Sequence, residues 1–579
     1  MAFASANLLA GLGGVSAHVL VFRVGEWDVA SPSVVLCHVL VFVAVALVSY
    51  TQFQVPVAEV ARCSSYYIAG LYLSMLLYRA FFHRLSKYPG PFLARLTNFY
   101  ITALSMKKLH LFEEVQKLHV QYGDYVRLGP SELSIADPEA VQTIYGTQSP
   151  TSKGPWYTLL EPRTPLFMAR DKREHARRRK VWDQGFSTTG KPHLSHRKSA
   201  LQLADSVDVL TSDSTPWAID QLLQVIDRDH KQPINITELF NFFAFDVMED
   251  LAFNKTSNML RDGKEAYIFK TIREDMFHVA IFTHLPWLLP FLKRTPILNR
   301  NYLQFWDWIQ AQITERSNNE PEQPDIFSWI LAEYNRSEKT QLDRWNLHGD
   351  AQLIVIAGSD TTAATLTHIF FQLAYDADLV QALQKEFDGL PSLAHDNLTK
   401  VSLLDAVINE TLRLYPTVPS GTQRMTPPEG LRVGEIHIPG NTIVQVPSYT
   451  VFRGTRRPFS SHISCAVWLT AYQHFFVIDS RAFEQPNDFI PERWTTRPDL
   501  IKNRSAFIPF NTGTRKGPYA CVGKRLALLE LRRLVAEILW RYDVCIAPGQ
   551  SKEAFHDGKQ DTFTLVSAPL SLVFTPRSL

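Results

Sequence analysis

The chain has 579 residues, of which 46% are hydrophobic and 20% charged, and its formal net charge is +2. This composition predicts a globular protein with a large core, and the near-neutral charge argues against nucleic acid as the main partner. The five cysteines are an odd, scattered set without a Cys-x-x-Cys pair, which argues against a disulfide framework or a zinc site and fits a reducing compartment.

The first 88 residues contain three apolar runs, at 2–22, 34–48 and 66–82. The second and third approach the length needed to cross a bilayer, and the basic cluster of Arg79, Arg84 and Lys87 places the downstream side in the cytoplasm. The alternatives are a signal peptide for the first run, although it has no basic n-region, and a buried amphipathic helix for the third. We expect residues 1–88 to be a membrane anchor with two to three apolar segments.

Pro89-Gly90-Pro91 breaks the chain, because proline cannot continue a helix and the glycine allows a sharp change of direction. We place a domain boundary here, with a catalytic domain over 89–579. Further on, residues 171–182 form a helical run dense in lysine and arginine, which predicts a solvated basic face. Within this run His175 and Arg179 lie four apart and share one helix face.

A long helix is predicted over residues 350–375, and it contains the stretch Ala-Gly-Ser-Asp-Thr-Thr at 357–362. Gly358 weakens the helix and Thr361 competes for backbone carbonyls, so we expect the helix to open locally and admit water or a ligand. The acidic and hydroxyl side chains of Asp360 and Thr361 are unexpected in an otherwise apolar helix, which calls for a structural or functional explanation.

Glu410 and Arg413 lie three apart on the next helix, predicted over 404–415, and can pair. Downstream, the segment Pro491-Glu492-Arg493 offers a third charged partner in Arg493.

Cys521 lies in a loop rich in glycine and proline that precedes an apolar-periodic helix at 526–540. The backbone N–H groups at a helix N-terminus, together with Lys524 and Arg525, favour a thiolate there. Glycines on both sides let a flat cofactor approach the backbone. Without its context the cysteine would be a buried free thiol.

These motifs resemble cytochromes P450, in the version that many fungal membrane-bound members use. The stretch at 357–362, the Glu410-x-x-Arg413 pair, the segment ending in Arg493 and Pro-Tyr-x-Cys-x-Gly around Cys521 carry the resemblance. It implies a mainly α fold with a smaller β region, the cytochrome P450 fold, preceded by N-terminal transmembrane helices.

The resemblance implies haem b, with the Cys521 thiolate as the axial iron ligand that favours O–O cleavage. It also implies a set of cofactor-binding residues around the haem. These are Arg179, His175 (where the family carries a tryptophan), Arg424, Tyr519 (where many members carry an arginine) and Phe510.

The resemblance further implies that Asp360 and Thr361 are catalytic and relay protons to iron-bound dioxygen. Glu410, Arg413 and Arg493 are implied to form a buried network behind the haem. A terminal hairpin is implied to bring residues 562–566 next to the substrate.

Two segments depart from the family pattern. Residues 454–478 are an unexpected stretch rich in aromatic side chains, which we interpret as translated intron sequence, with a genuine surface insertion as the alternative. Residues 514–517 look like extra residues that move Phe510 away from Cys521.

The expected function is that of a haem-thiolate monooxygenase, an oxidoreductase that inserts one oxygen atom from O2 into a lipophilic small molecule, here a fungal secondary-metabolite intermediate. Electrons are expected from NADPH through the membrane-bound NADPH-cytochrome P450 reductase. We expect the anchor to lie in the endoplasmic reticulum membrane with the catalytic domain facing the cytoplasm. The alternatives are a P450-fold isomerase, dehydratase or peroxygenase, and an inactive membrane-bound scaffold spoiled by the insertions.

Overall fold

The computed structural model describes residues 2–186, 206–297, 299–319, 321, 324–454, 456–458, 476–478, 481–512 and 519–578. The suspected extra residues 514–517 and most of the segment 454–478 lie outside this range.

The chain begins with helices α1 (Ala2–Ala17), α2 (Ser31–Phe53) and α3 (Val57–Leu77). A π-helical turn continues α1 to Phe22, and another continues α3 to Phe82. The stretches Ser5–Phe22 and Ser31–Phe53 are long and apolar enough to cross a membrane, and they remain largely exposed on the protein.

The prediction of N-terminal helices that can span a membrane is confirmed for two of the three apolar runs. The first run, considered a signal peptide, forms a helix that qualifies as a membrane span, whereas the third run lies on α3, which is not among the described helices that meet these criteria. Helix α3 begins upstream of the apolar run and carries an ion pair between Glu59 and Arg62, which lowers its hydropathy.

Helices α1 and α3 pack with their backbones in contact. A Cβ atom at Gly14 would lie 2.0 Å from the carbonyl oxygen of Tyr67, and a Cβ at Gly70 would lie 2.1 Å from that of Gly11. Small residues at a helix crossing allow this close approach. The Cys63 thiol also donates to Asn7 Oδ1 across the pair, at 3.3 Å.

The catalytic domain is mainly helical. Its helices are α4 (Phe92–Leu96), α5 (Phe99–Met106), α6 (Leu111–Tyr122), α7 (Ala140–Tyr145), α8 (Lys172–Gly185), α9 (Ser206–Asp229), α10 (Ile236–Phe253), α11 (Met259–Asp262), α12 (Tyr267–Phe282), α13 (Leu289–Arg294), α14 (Arg300–Asn318), α15 (Ile326–Arg336), α16 (Gln341–Leu373), α17 (Ala377–Asp388), α18 (His395–Leu398), α19 (Ser402–Leu414), α20 (Ser448–Arg453), α21 (Lys524–Arg541) and α22 (Lys552–Asp557).

The strands are short and form small sheets. They are β1 (Tyr125–Gly129), β2 (Glu132–Ile135), β3 (Ile234–Asn235), β4 (Arg424–Met425), β5 (Leu431–Val433), β6 (Ile436–Ile438), β7 (Ile443–Gln445), β8 (Arg456–Pro458), β9 (Phe476–Ile478), β10 (Tyr542–Ile546), β11 (Gln560–Thr562), β12 (Thr564–Val566) and β13 (Ser571–Pro576). The largest sheet has the order β1-β2-β7-β4, and a three-stranded sheet has the order β10-β13-β3. Hairpin β11-β12 turns at Phe563, which has a φ of 81°.

Helix α16 is the central element of the main hydrophobic core. It begins at Gln341, whereas the sequence predicted a start at residue 350. The earlier start is due to Thr340 and Asp343, which form a capping box there. Its second half is buried on nearly every side against the surrounding helices, α10 and α21 among them.

The N-terminal helices also touch the catalytic domain. Glu26, in the loop between α1 and α2, accepts two hydrogen bonds from Arg170, at 2.7 and 2.8 Å. At the start of α2, the Ser31 hydroxyl donates to the carbonyl oxygen of Trp287, which precedes α13. The loop between the first two helices therefore lies on the same side as the catalytic domain.

We expect Gly14→Leu to separate α1 from α3, since its side chain would overlap the α3 backbone. The readout is a disulfide between Cys63 and a cysteine introduced by Asn7→Cys, seen after trypsin digestion as peptide 1–23 joined to peptide 63–79. Gly13→Leu is the control, because a Cβ at Gly13 lies 3.8 Å from the Tyr67 side chain, an ordinary contact distance. Equal disulfide yields in the two variants would contradict the close packing.

Candidate functional site

A cavity of about 880 Å³ lies inside the catalytic domain, between α16, α8, the start of α21 and the tip of the β11-β12 hairpin. Its walls are mostly apolar. It brings together residues that are far apart in the sequence. Among those predicted as site residues, its lining includes Cys521, Thr361, Arg179, His175, Arg424, Tyr519 and Phe510.

Cys521 lies two residues before Gly523, the N-cap of α21. Its backbone N–H donates to the carbonyl oxygen of Phe510 at 2.9 Å, which closes the loop. Burial raises the pKa of the Cys521 thiol, and the backbone N–H groups of Gly523 and Lys524 lower it by less. These N–H groups thus favour a thiolate, as predicted for a helix N-terminus, while burial opposes it. A coordinated metal ion deprotonates a thiol outright.

Thr361 belongs to the stretch of α16 that lines the same cavity. Its hydroxyl donates to the carbonyl oxygen of Ala357 at 2.8 Å, and the helix continues without interruption. The predicted local opening is therefore absent from this described stretch. Gly358 has a packing role instead, because a Cβ there would lie 2.4 Å from the sulfur of Met248 on α10.

Asp360 faces a different space from Thr361. It lines a second cavity of about 660 Å³, between α16, α10, α12 and the β11-β12 hairpin. Burial raises the pKa of Asp360 to about 6, and the neighbouring Thr564 hydroxyl offsets part of this rise. The two predicted catalytic side chains are neighbours in sequence, but they do not face the same cavity.

Arg424 is buried at one end of the main cavity. Its Nη1 donates to the Tyr157 hydroxyl at 2.8 Å and to the carbonyl oxygen of Gln423 at 2.9 Å, and its guanidinium lies 4.7 Å from the centre of the Tyr519 ring. Its Nε has no hydrogen-bond partner in the described part of the chain, and no carboxylate there forms an ion pair with it. This buried cation therefore lacks a counter-charge.

Lys153 lies beside Arg424, and the sequence analysis missed it. Its ammonium group donates to the carbonyl oxygens of Phe167 and Ala169, at 2.7 and 2.9 Å, and lies 5.3 Å from the Tyr519 ring. Burial, together with the charge of Arg424, lowers the pKa of Lys153 to about 6. The sequence signal that could have indicated Lys153 is the stretch 153–157, in which the lysine is followed by glycine, proline and two aromatic residues.

Arg179 and His175 project from α8 towards the same end of the cavity. Arg179 is already bonded to protein, since Nη1 donates to the carbonyl oxygen of Ala520 at 2.6 Å and Nε donates to Asp183 at 2.7 Å. The His175 ring centre lies 5.4 Å from that of Tyr519. Burial and the neighbouring cations lower the pKa of His175 to about 3, so its ring is neutral.

This donor set fits haem b. A thiol faces one side of the cavity, and the buried guanidinium of Arg424 at one end has an unpaired Nε and no counter-charge among the described residues. Leaving a buried cation unpaired is costly, and a carboxylate would compensate it. Haem propionates are such carboxylates.

Glu410 is at the centre of a buried charge network. It accepts hydrogen bonds from Arg413 at 2.8 and 2.9 Å, from Arg493 Nε at 2.9 Å and from Trp494 Nε1 at 2.9 Å. The side chains of Glu410, Arg413 and Arg493 are completely buried. Burial alone would raise the pKa of Glu410, but the hydrogen bonds and charge of Arg413 outweigh it and the pKa lies below its ordinary value.

A second buried ion pair corrects the view of residues 171–182 as a solvated face. Arg178 donates to Asp350 at 2.6 Å, and Asp350 also accepts from the Leu166 backbone N–H at 2.8 Å. The helical period turns Arg178 and His175 inward while their neighbours face solvent. This pair joins α8 to α16 across the core.

Comparison with known proteins agrees with this architecture. The family model described as Cytochrome P450 matches residues 89–456 and 462–574.

Individual relatives match nearly the whole chain. The protein named cytochrome P450 monooxygenase orf5 of Eupenicillium brefeldianum is 49% identical over 89% of this chain and 96% of its own length. Cytochrome P450 monooxygenase FCK2 of Fusarium pseudograminearum is 42% identical over 98% of this chain and 96% of its own length. Tryprostatin B 6-hydroxylase of Aspergillus fumigatus is 32% identical, with coverage of 98% and 96%.

We expect Glu410→Gln to lower the free energy of unfolding by about 3–5 kcal/mol, because it leaves two buried guanidinium groups uncompensated. Urea unfolding of the full chain measures this. Glu315→Gln is the matched control, since Glu315 pairs with Lys255 at the surface with about half of each side chain exposed. That change should cost less than about 1 kcal/mol. Equal effects of the two substitutions would contradict the network.

The same network predicts a pH dependence. Because the folded-state pKa of Glu410 is below its ordinary value of 4.5, its ionisation stabilises the fold fully above pH 4.5. This stabilisation is lost as the pH falls through the lowered folded-state pKa. In Glu410→Gln the free energy of unfolding should fall less steeply, as the pH is lowered below 4.5, than in the native protein. An unchanged slope would count against the assignment.

Proposed function

The chain belongs to the cytochrome P450 family, and from this premise we propose that it inserts one oxygen atom from O2 into a lipophilic intermediate of a fungal secondary-metabolite pathway. As a member of this family it is a monooxygenase with a haem-thiolate iron, supplied with electrons by a redox partner. The observation that carries the proposal is the large, mostly apolar cavity that both Cys521 and Thr361 line. The name of the Aspergillus fumigatus relative, tryprostatin B 6-hydroxylase, supports this substrate class.

Cys521 would hold the iron, and Arg424 would bind the haem propionates with support from Lys153, Tyr519, Arg179 and His175. Phe510 would shape the loop through its hydrogen bond from the Cys521 N–H. When bound, the haem supplies the iron at which dioxygen is activated. The protein supplies the ligand, the buried cations and a mostly apolar cavity.

We assign Thr361 and Asp360 separate parts in proton supply. The Thr361 hydroxyl is held by its hydrogen bond to Ala357, so its lone pairs can orient water in the main cavity. The carboxyl of Asp360, with a pKa near 6, can take up and release protons near neutral pH on the side of the second cavity. Protons would thus pass from the second cavity, by way of Asp360, to the main cavity at Thr361.

The electron source is proposed to be NADPH through the membrane-bound NADPH-cytochrome P450 reductase. We place residues 1–88 in the endoplasmic reticulum membrane and the catalytic domain, 89–579, in the cytoplasm. The support is the basic cluster that follows α3 and the two spans at Ser5–Phe22 and Ser31–Phe53. Because the loop between these spans contacts the catalytic domain, α3 would have to cross the membrane as well to bring residue 89 back to that side. We keep translated intron sequence as the proposal for residues 454–478, with a genuine surface insertion as the alternative; the family match is interrupted only at 457–461 and covers the rest of this segment.

The function is tested on the full chain in membranes with a reductase. The reduced protein treated with carbon monoxide should give the red-shifted band of thiolate-ligated haem, and Cys521→Ser should lose both the band and oxygen insertion. A Cys521→Ser protein that keeps the band and the native turnover would refute the proposal.

Thr361→Ala should uncouple electron use from product formation, because the hydroxyl that orients water is lost. NADPH consumed per product formed is the measurement. Thr411→Ala is the control, since the buried Thr411 hydroxyl makes the same kind of bond, to the carbonyl oxygen of Val407 at 2.9 Å, but lines neither cavity. Unchanged coupling in an active Thr361→Ala enzyme would exclude this role.

A further inference from the structure

Asp275 is a carboxylate in the wall of the main cavity, on helix α12. The described residues that line this cavity include one other carboxylate, Glu530, which is completely buried and bonded to the Thr362 hydroxyl at 3.2 Å. Asp275, in contrast, forms no hydrogen bond or ion pair with the part of the chain that the structure describes. Its surroundings on α12 include the apolar side chains of Met276 and Val279.

The cations of the cavity do not neutralise Asp275. Lys293 donates to the carbonyl oxygens of Leu159 and Glu161, and Lys153 donates to those of Phe167 and Ala169. Arg179 and Arg424 are bonded to groups at the haem end. The titratable groups that interact with Asp275 are His278 and Glu274 on its own helix and Tyr302 on α14.

Asp275 is partly buried, and this has an energetic consequence. Removing a carboxylate from water without a partner is costly, and burial raises the pKa of Asp275 to about 6. A cation brought in by the ligand would recover part of this cost, because it would find a carboxylate that is already partly desolvated. The cavity therefore favours a ligand with a positive charge near α12 over an uncharged ligand of equal shape.

An aromatic wall lies further along the same helix. The Trp156 indole N–H donates to the Thr283 hydroxyl at the end of α12, and the Trp156 ring stacks on Phe563 with centroids 4.7 Å apart. Asp275 precedes Thr283 by 8 residues, which at 1.5 Å per residue is about 12 Å along the helix. The cavity thus offers an aromatic surface at the C-terminal end of α12 and a carboxylate near the middle of this helix.

We propose that Asp275 is a specificity-determining residue that pairs with a protonated amine of the substrate, whose flat apolar part packs on Trp156 and Phe563. The inference rests on the proposed function and deepens it by naming the substrate class, a lipophilic molecule with a basic nitrogen.

The test uses the haem-loaded full chain and two probes of equal shape. Trimethyl(6-phenylhexyl)ammonium carries a permanent charge and cannot ligate iron, and (7,7-dimethyloctyl)benzene is its uncharged isostere. Dissociation constants come from titrations followed at the haem absorption band. We expect the native enzyme to prefer the ammonium probe, and Asp275→Asn to weaken its binding at least tenfold while changing binding of the isostere less than twofold.

Glu274→Gln is the matched control. Glu274 neighbours Asp275 but bonds to Asn301 at 3.1 Å and does not line the main cavity, so both probes should bind this variant as they bind the native enzyme. Equal preference for the two probes in the native enzyme, or equal weakening of both in Asp275→Asn, would overturn the proposal. An intact carbon monoxide band alongside either result would leave the monooxygenase function standing, whereas its absence from the native enzyme would refute that function.

Discussion

The carboxylate of Glu410 is the interaction on which the geometry of the site depends. It binds two buried guanidinium groups and the indole N–H of Trp494. The Trp494 ring packs on Phe507 at 4.5 Å, and Phe507 lies just before Phe510, whose carbonyl oxygen accepts the Cys521 N–H. A continuous set of contacts thus leads from one buried charge to the cysteine loop. Since the charged groups of this network are hydrogen-bonded to one another, it fixes the position of Phe510 and with it the hydrogen bond to Cys521.

Charge is separated within the main cavity. Arg424 and Lys153 lie at the end near Cys521, where they suit the carboxylates of a haem, and Asp275 lies in the wall formed by α12. The cations at the haem end share few carboxylate partners with the protein, and the acid on α12 has none in the described chain. Both ends of the cavity therefore carry charges that a bound molecule of opposite charge can neutralise. In this way an apolar cavity can contain polar groups and still discriminate between ligands.

Helix α16 separates two cavities with different linings. Successive helix positions are about 100° apart around the axis, so Thr361 faces the main cavity while Asp360 faces the second. A carboxyl with a raised pKa in contact with the more polar space can exchange protons there without placing a negative charge next to the reacting atoms. The packing of Met248 against Gly358 keeps the helix continuous at this point.

The sequence by itself determined the features that depend on local spacing. These are the cysteine loop before α21, the pairing of Glu410 with Arg413 on one helix face, and the apolar N-terminal helices. Tertiary structure decided which distant residues meet, because burial and contact depend on how elements pack and not on the order of residues. Only packing turned Arg178 inward to Asp350, placed Lys153 beside the haem end and brought Asp275 into the wall of the main cavity.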